Sequence, residues 1–316
     1  MASSQAGGQN TVGAVASLSG IGVHGGRHAS LIIHPAEADG GISFHRTNVG
    51  DGSDREIPAT IQHVAATEMC TAIGTNGATV KTVEHLLAAL SALGVDNAVI
   101  EVDGPEVPMM DGSAAPFVDL IDEVGLMPLD RPRRSIKVVK PVRVEIGDSY
   151  AEFRPCNRLR VEIEIDFANP VIGRQRFASN VDEHVFRRDI ARARTFGFLA
   201  DVEQLWARGL ALGASLDNAV VVGDDRVVNS EGLRFDDEFV RHKALDAVGD
   251  LALVGAPIVG CYRSYRGGHR LNTTAVQALM ADTTAWKVVE TPAHREVRHG
   301  DLVAGVGVAA YGPEAS

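Results

Sequence analysis

Cysteine is scarce in this chain. Cys70, Cys156 and Cys261 stand far apart, with no Cys-x-x-Cys pair among them. An odd, scattered set argues against a disulfide framework and a cysteine-built structural zinc site, and it makes the reducing cytoplasm the expected compartment. Basic charge is short as well: 30 Lys and Arg face 41 Asp and Glu, a formal net charge of −11. Such a balance argues against the broad phosphate-neutralising surface of a nucleic-acid binder, though not against a local basic pocket for one nucleotide. Long apolar runs are missing too. The longest, Leu251–Tyr262, is about half the ~20 residues that span a bilayer, so stable insertion is not expected and only peripheral membrane contact stays open. The opening MASSQAGGQN has no basic residue and leads into no long apolar segment, unlike a secretory signal. Aromatics make up 5% of the chain while glycine reaches 33 residues, a balance suited to short strands and tight turns.

What is present is an ordinary globular mixture, 45% hydrophobic and 22% charged over 316 residues, long enough for two domains with their own cores. In the first half, HASLIIH (His28–His34) and ISFHR (Ile42–Arg46) read as strands. From Val80 to Leu93 the apolar residues recur at helical spacing, with Gly94 as the stop, and NAVIEV (Asn97–Val102) follows as a strand. Ser113 is placed to cap a helix reaching Val124. The segment DRPRRS, residues 130–135, reads as a charged link between domains. Beyond it, IKVVKPVRVEI and LRVEIEIDF alternate like half-buried strands, a helix is expected from Asp182, and NAVVVGDDRVV reads as a hairpin. A long helix is expected from about Asp236 to Val254, then a strand and a helix from about Leu271 to Met280. His85 and His242 each sit in a helix that ends near a glycine and leads into a strand. The repeat predicts an α+β fold with two similar layers of strands covered by helices, and a site at their interface.

Chemistry concentrates in a few places. FVRHKALDAVGD sets His242 and Asp246 four residues apart, one turn along one helix face. An imidazole and a carboxylate so placed can share a metal ion, and the same spacing also serves an ordinary solvated ion pair. In TVEHLL, Glu84 and His85 diverge by roughly 100°, so one can ligate while the other addresses what the metal binds. Glu84 can equally be an acidic residue favoured by the helix N-terminus. Together, two histidines and one aspartate supply the three ligands of a catalytic zinc with a position left for water, and Glu84 the general base. Asp250, a further turn along, can orient another histidine such as His269. Thr195 in ARTFGF offers a hydroxyl to an oxyanion, Arg266 in SYRGGH a guanidinium to a phosphate, and Lys243 stands beside His242. Each of these also has an ordinary structural reading.

The strings SGIGVHGG, TVEHLLAALSALGVDNAVIEVDGPEVPMMDGSAAPF, ARTFGF, and GLRFDDEFVRHKALDAVGDL with GGHRLN resemble one family, the UDP-3-O-acyl-N-acetylglucosamine deacetylases of Gram-negative lipid A biosynthesis. They run in order over most of the chain. The resemblance implies a two-domain α+β fold, residues 1–130 and 135–290, each a helix pair packed with sheet in layered sandwiches, followed by a tail, 291–316. It implies zinc, with ferrous iron also fitting the donors, bound by His85, His242 and Asp246. Glu84 resembles the base, Thr195 the oxyanion donor and His269 the cationic partner oriented by Asp250. Lys243 and Phe196 match positions lining the substrate site, Phe167 an aromatic that stacks on uracil, and Arg266 a basic residue near the diphosphate. The implied partner is a UDP-linked acylated amino sugar, met by a cytoplasmic monomer. Leu216 stands where an aromatic is commoner, and residues 168–180 are expected in an insert shaping the acyl passage. A hydrolase of another N-acylated sugar, or a catalytically silent relative, are the competing readings.

Overall fold

Alternation of side chains dictates most of the strands. His28–Pro35 and Arg160–Asp166 bury every second residue, the period of a sheet with one covered face. The helix Glu84–Leu93 (α1) is different, with eight of its ten residues buried, as expected of a helix that is apolar nearly all round. Its apolar Leu86, Leu87, Leu90 and Leu93 each contribute about 1.5–3 kcal/mol by leaving water. Gly94 ends it at φ 81°, a left-handed cap that glycine adopts without penalty.

The computed structural model describes residues 7–49, 53–75 and 77–291. The expected tail, 291–316, lies outside the described residues except for Thr291, as do residues 1–6 of MASSQAGGQN. Further helices are Ala115–Val124 (α2), Glu183–Val185 (α3), Val202–Ala207 (α4), Glu238–Ala252 (α5) and His269–Ala281 (α6). With five sheets among the described residues, the architecture is α+β.

Two five-stranded sheets share one topology. The first runs, in spatial order, Ala16–Ile21, His28–Pro35, Ala98–Val102, Ile42–Val49, Ser53–Pro58. The second runs Val142–Ile146, Ser149–Arg154, Cys261–Tyr265, Arg160–Asp166, Arg174–Asn180. In both, successive pairings are antiparallel, antiparallel, parallel, antiparallel. The central strand is in each case the last in sequence, delivered by α1 in the first half and α5 in the second, and followed by α2 or α6. The repeat read from His85 and His242 is thus a repeat of strand order and pairing sense. α1 packs on α5, with α2 beside α1 and α6 beside α5. Gly249 of α5 makes that approach close: a Cβ there would overlap the carbonyl oxygen of Glu84.

Two expectations need correction. Residues 130–135 are not a loose link but part of a 13-residue strand, Leu126–Val138. That strand pairs with Gly8–Val12 over one part of its length and with Trp286–Thr291 over the other, so partners from both ends of the chain hold the charged, proline-containing segment extended. Residues 174–180 are likewise not in an insert. They form the edge strand of the second sheet, in register with Arg160–Asp166. The excursion beyond the repeated pattern lies later, where Phe196–Phe198 pairs in parallel with Val220–Val222 across α4. That pairing also gives the NAVVV strand its main partner, while the expected reversal at Gly223 survives as a turn closed by Gly223 N–H on Arg226 O at 2.8 Å.

Candidate active site

α5 carries a buried polar residue at every fourth position, Glu238, His242, Asp246 and Asp250. Four-residue spacing keeps them along one face. Buried polar groups need partners, and those partners define the site. His242 Nδ1 lies 3.0 Å from Ala193 O. A carbonyl only accepts, so Nδ1 donates to it, and Nε2 is the nitrogen turned toward Asp246. That Nε2 lies 3.2 Å from Asp246 Oδ1, and His85 Nε2, arriving from α1, lies 3.7 Å from the same oxygen. The two imidazoles meet edge to face, centroids 5.0 Å apart. One donor atom from each of His85, His242 and Asp246 falls within 4.8 Å of the others. Asp246 Oδ1 is buried without a hydrogen-bond partner, a costly arrangement unless a cation sits among the three atoms. The donor set therefore fits a divalent metal, and two imidazoles with one carboxylate suit zinc or ferrous iron alike.

The surroundings tune these groups. Burial alone would raise Asp246, but His242, Lys243 and His269 outweigh it and hold its carboxyl well below the usual carboxylate range. Lys243 Nζ donates to Asp246 Oδ2 at 2.8 Å. Burial pulls His85 down, with His242 adding to the fall and Asp246 opposing it, so its imidazole is kept neutral and able to ligate. Glu84, at the first turn of α1, is pushed up to about 8 by burial, with Asp250 and Asp246 adding to the rise against His269. Its Oε2 accepts from Thr71 N–H at 3.1 Å, and its Oε1 lies 3.7 Å from His269 Nε2. Burial would lower His269, yet Asp250, Glu84 and Asp246 outweigh it and carry it up to about 9. The fold thus sets a carboxyl of raised proton affinity, the property of a base, beside a cationic imidazole.

Asp250 is fully buried and saturated with donors. Its Oδ2 lies 3.0 Å from His269 Nδ1 and accepts from Asn272 Nδ2 at 2.8 Å, and its Oδ1 accepts from Thr71 Oγ1 at 2.5 Å. Tyr262 OH closes on Asn272 Oδ1 at 2.6 Å. Thr71 lies in no recognised motif, and Asn272 lies in GGHRLN without a role read for it; only the folded chain brings Thr71 to Asp250. The Cys70 thiol, pushed up to about 12 chiefly by burial, is not a nucleophile at neutral pH.

The remaining expected residues divide. Phe196 stands 6.3 Å, ring to ring, from His242 and 5.8 Å from Phe167, and Lys243 Nζ lies 5.7 Å over its face, so these three join the cluster. Thr195 is fixed beside it through its backbone, donating to Gly112 O at 2.8 Å and accepting from Val220 N–H at 2.7 Å. Its hydroxyl bonds to none of the cluster. Arg266 is exposed, at φ 51° on the turn that leads into α6. Leu216 is 45% exposed. Glu238 escaped the sequence reading, although it lies one turn before His242 in the same four-residue rhythm.

A buried three-donor cluster flanked by a carboxyl and a cationic imidazole has the groups that a metal-assisted hydrolase requires. Comparison with known proteins narrows the class. The family described as UDP-3-O-acyl N-acetylglycosamine deacetylase matches residues 9–281. The chain is 56% identical over 283 residues to the UDP-3-O-acyl-N-acetylglucosamine deacetylase of Brucella ovis, covering 89% of this chain and 98% of that protein. The proteins of the same name from Brucella abortus strain 2308 and Brucella melitensis biotype 2 match to the same extent. The chain belongs to the UDP-3-O-acyl-N-acetylglucosamine deacetylase family.

Proposed function

We propose that this chain hydrolyses the acetamide of a UDP-3-O-acyl-N-acetylglucosamine, giving the free amine and acetate, as a zinc-dependent step of lipid A biosynthesis. The observation that carries the reading is the convergence of His85 Nε2, His242 Nε2 and the unpartnered Asp246 Oδ1 beside Glu84 and His269. The relatives' shared name supports the substrate. A divalent cation held by those three atoms supplies positive charge that polarises the amide carbonyl and makes nearby water more acidic.

The chain's own residues do the rest. Glu84 takes a proton from the attacking water as its oxygen bonds to the acetyl carbon. Thr195 and His269 meet the negative charge that gathers on the carbonyl oxygen. The C–N bond then breaks, and the departing amine takes a proton from Glu84 or His269 while acetate leaves. Asp250 keeps His269 protonated and oriented. Phe196 and Lys243 shape the floor near the reacting centre, Phe167 offers a face to uracil, and Arg266 reaches toward the diphosphate. Residues 1–130 and 135–290 are read as the two domains contributing to this site, a division supported by the repeated strand order. Among the described residues no helix is long and apolar enough to cross a membrane; the cytoplasm is the compartment this substrate implies, in keeping with three free cysteines.

The test is release of free amine from UDP-3-O-(hydroxyacyl)-N-acetylglucosamine, before and after chelation and after zinc is restored. Activity that disappears with chelator and returns with zinc is expected. No amine release at any acyl length from metal-loaded protein would overturn the assignment.

A further inference from the structure

The most heavily bonded polar group outside the reacting residues is a buried ion pair next to the candidate ligands. Arg194 is 2% exposed and Glu238 0%. Arg194 Nε donates to Glu238 Oε1 at 2.9 Å and its Nη2 to Oε2 at 3.1 Å. The backbone N–H of Arg194 also reaches Oε1, at 3.0 Å, and the N–H of Arg234 reaches Oε2 at 2.6 Å. The far side of the guanidinium holds Glu231 Oε1 at 2.8 Å and Gly232 O at 2.7 Å. A buried ion pair contributes little net stability compared with apolar residues of the same volume, so stability alone is a poor account of so complete a network.

Its position suggests a different role. Glu238 and His242 lie four residues apart on α5, and they grip neighbouring residues of one segment. Glu238 holds Arg194 through side chain and backbone, and His242 Nδ1 faces the carbonyl of Ala193. The same segment continues into Thr195 and into Phe196, which meets the His242 ring. The carbonyl that sets the His242 tautomer is thus immobilised by the peptide bond it shares with Arg194.

We infer that Arg194 and Glu238 are positioning residues that hold the Ala193 carbonyl against His242 Nδ1 and so present Nε2 for metal binding. The inference rests on the reading of His242 as a ligand. Loss of an outer hydrogen-bonding partner typically weakens metal affinity about 10- to 100-fold, which sets the expected effect.

The experiment is cobalt(II) titration of metal-free full-length chain by chelator competition, with the visible ligand-field spectrum recorded. The variants are the double substitution Arg194→Met with Glu238→Gln, Arg194→Lys, and His242→Ala. The double variant leaves no buried charge and keeps an amide oxygen as acceptor for one of the two backbone N–H groups, which in the native chain donate to different Glu238 oxygens. Arg194→Lys keeps the charge in the same space but loses the fork, so it serves should the double variant not fold. The expected result is cobalt binding weakened about 10- to 100-fold in the double variant, less in Arg194→Lys, with an altered spectrum in folded protein. Native affinity and spectrum in either folded variant, with only the melting temperature changed, would reduce the pair to a structural role and overturn the inference. Should His242→Ala bind cobalt as the native chain does, the ligand assignment itself falls, and the inference with it.

Discussion

The two halves share strand order and pairing sense, yet they are chemically unequal. α1 has its two buried polar residues, Glu84 and His85, at its start, and the rest of its buried surface is apolar. α5, its counterpart, carries Glu238, His242, Asp246 and Asp250 along its length. The following helices differ in the same way. α6 opens on His269 and carries Asn272 against Asp250, whereas the buried residues of α2 are all apolar. A repeated scaffold thus holds one composite site, with the second half contributing most of the polar stripe and the first half one imidazole and one carboxyl. Gly249 is where the asymmetry closes, because its bare backbone lets α5 touch the Glu84 carbonyl.

Substitutions across this seam test the asymmetry. The largest loss is expected from Asp246→Ala, which removes the oxygen common to both imidazole contacts. Several kcal/mol of transition-state stabilisation, at about 1.4 kcal/mol per decade, correspond to a fall in kcat/KM of about 10³-fold or more, with metal content falling in parallel by elemental analysis. Glu84→Ala should lower kcat about 10²- to 10⁴-fold, the usual worth of a general base, while metal content stays at the native level. Unchanged turnover in that variant would remove Glu84 from the mechanism.

His269→Gln should cost about 10²- to 10³-fold, comparable to the loss of one donor to an oxyanion, and it should alter the pH profile. The native imidazole is carried up to about 9 in the absence of metal. Its positive charge is present below that value and lost as pH rises through it, so kcat should fall on the alkaline side. A bound cation disfavours the charged imidazole and moves that limb to lower pH. The limb should be absent from His269→Gln. Gly249→Ala has the smallest chemical effect but strains the seam: overpacking costs about 1–3 kcal/mol, read as a lower melting temperature. An unshifted melting temperature would mean the two helices can part without cost.

Much of the site was legible because its residues obey local rules. The four-residue spacing of His242, Asp246 and Asp250 and the adjacency of Glu84 and His85 are visible in sequence because a helix converts spacing into direction. The strands were legible through their alternation. Residues 130–135 were misread because charge and proline ordinarily punctuate loops; pairing with strands more than a hundred residues away on either side overrode that preference. Residues 174–180 were placed in an insert on resemblance alone, and the chain instead uses them as an edge strand in register with Arg160–Asp166. Thr71 was invisible because it has no periodic or motif signature and meets Asp250 only across 179 residues of chain, whereas Asn272 lay within GGHRLN but its bond to Asp250 exists only in the fold. Arg194 lay within a recognised string, but its partner Glu238 was hidden as one more charge at a helix start, where acidic residues are common.

The most direct test of a single site built from both halves is the metal stoichiometry of His85→Ala and His242→Ala, measured on folded, zinc-loaded protein after removal of loosely bound metal. The account predicts about one zinc per native chain and a loss of tight binding in each variant, because either half alone supplies too few ligands. Full retention of zinc by His85→Ala would contradict it, since the second half would then hold the metal without the first.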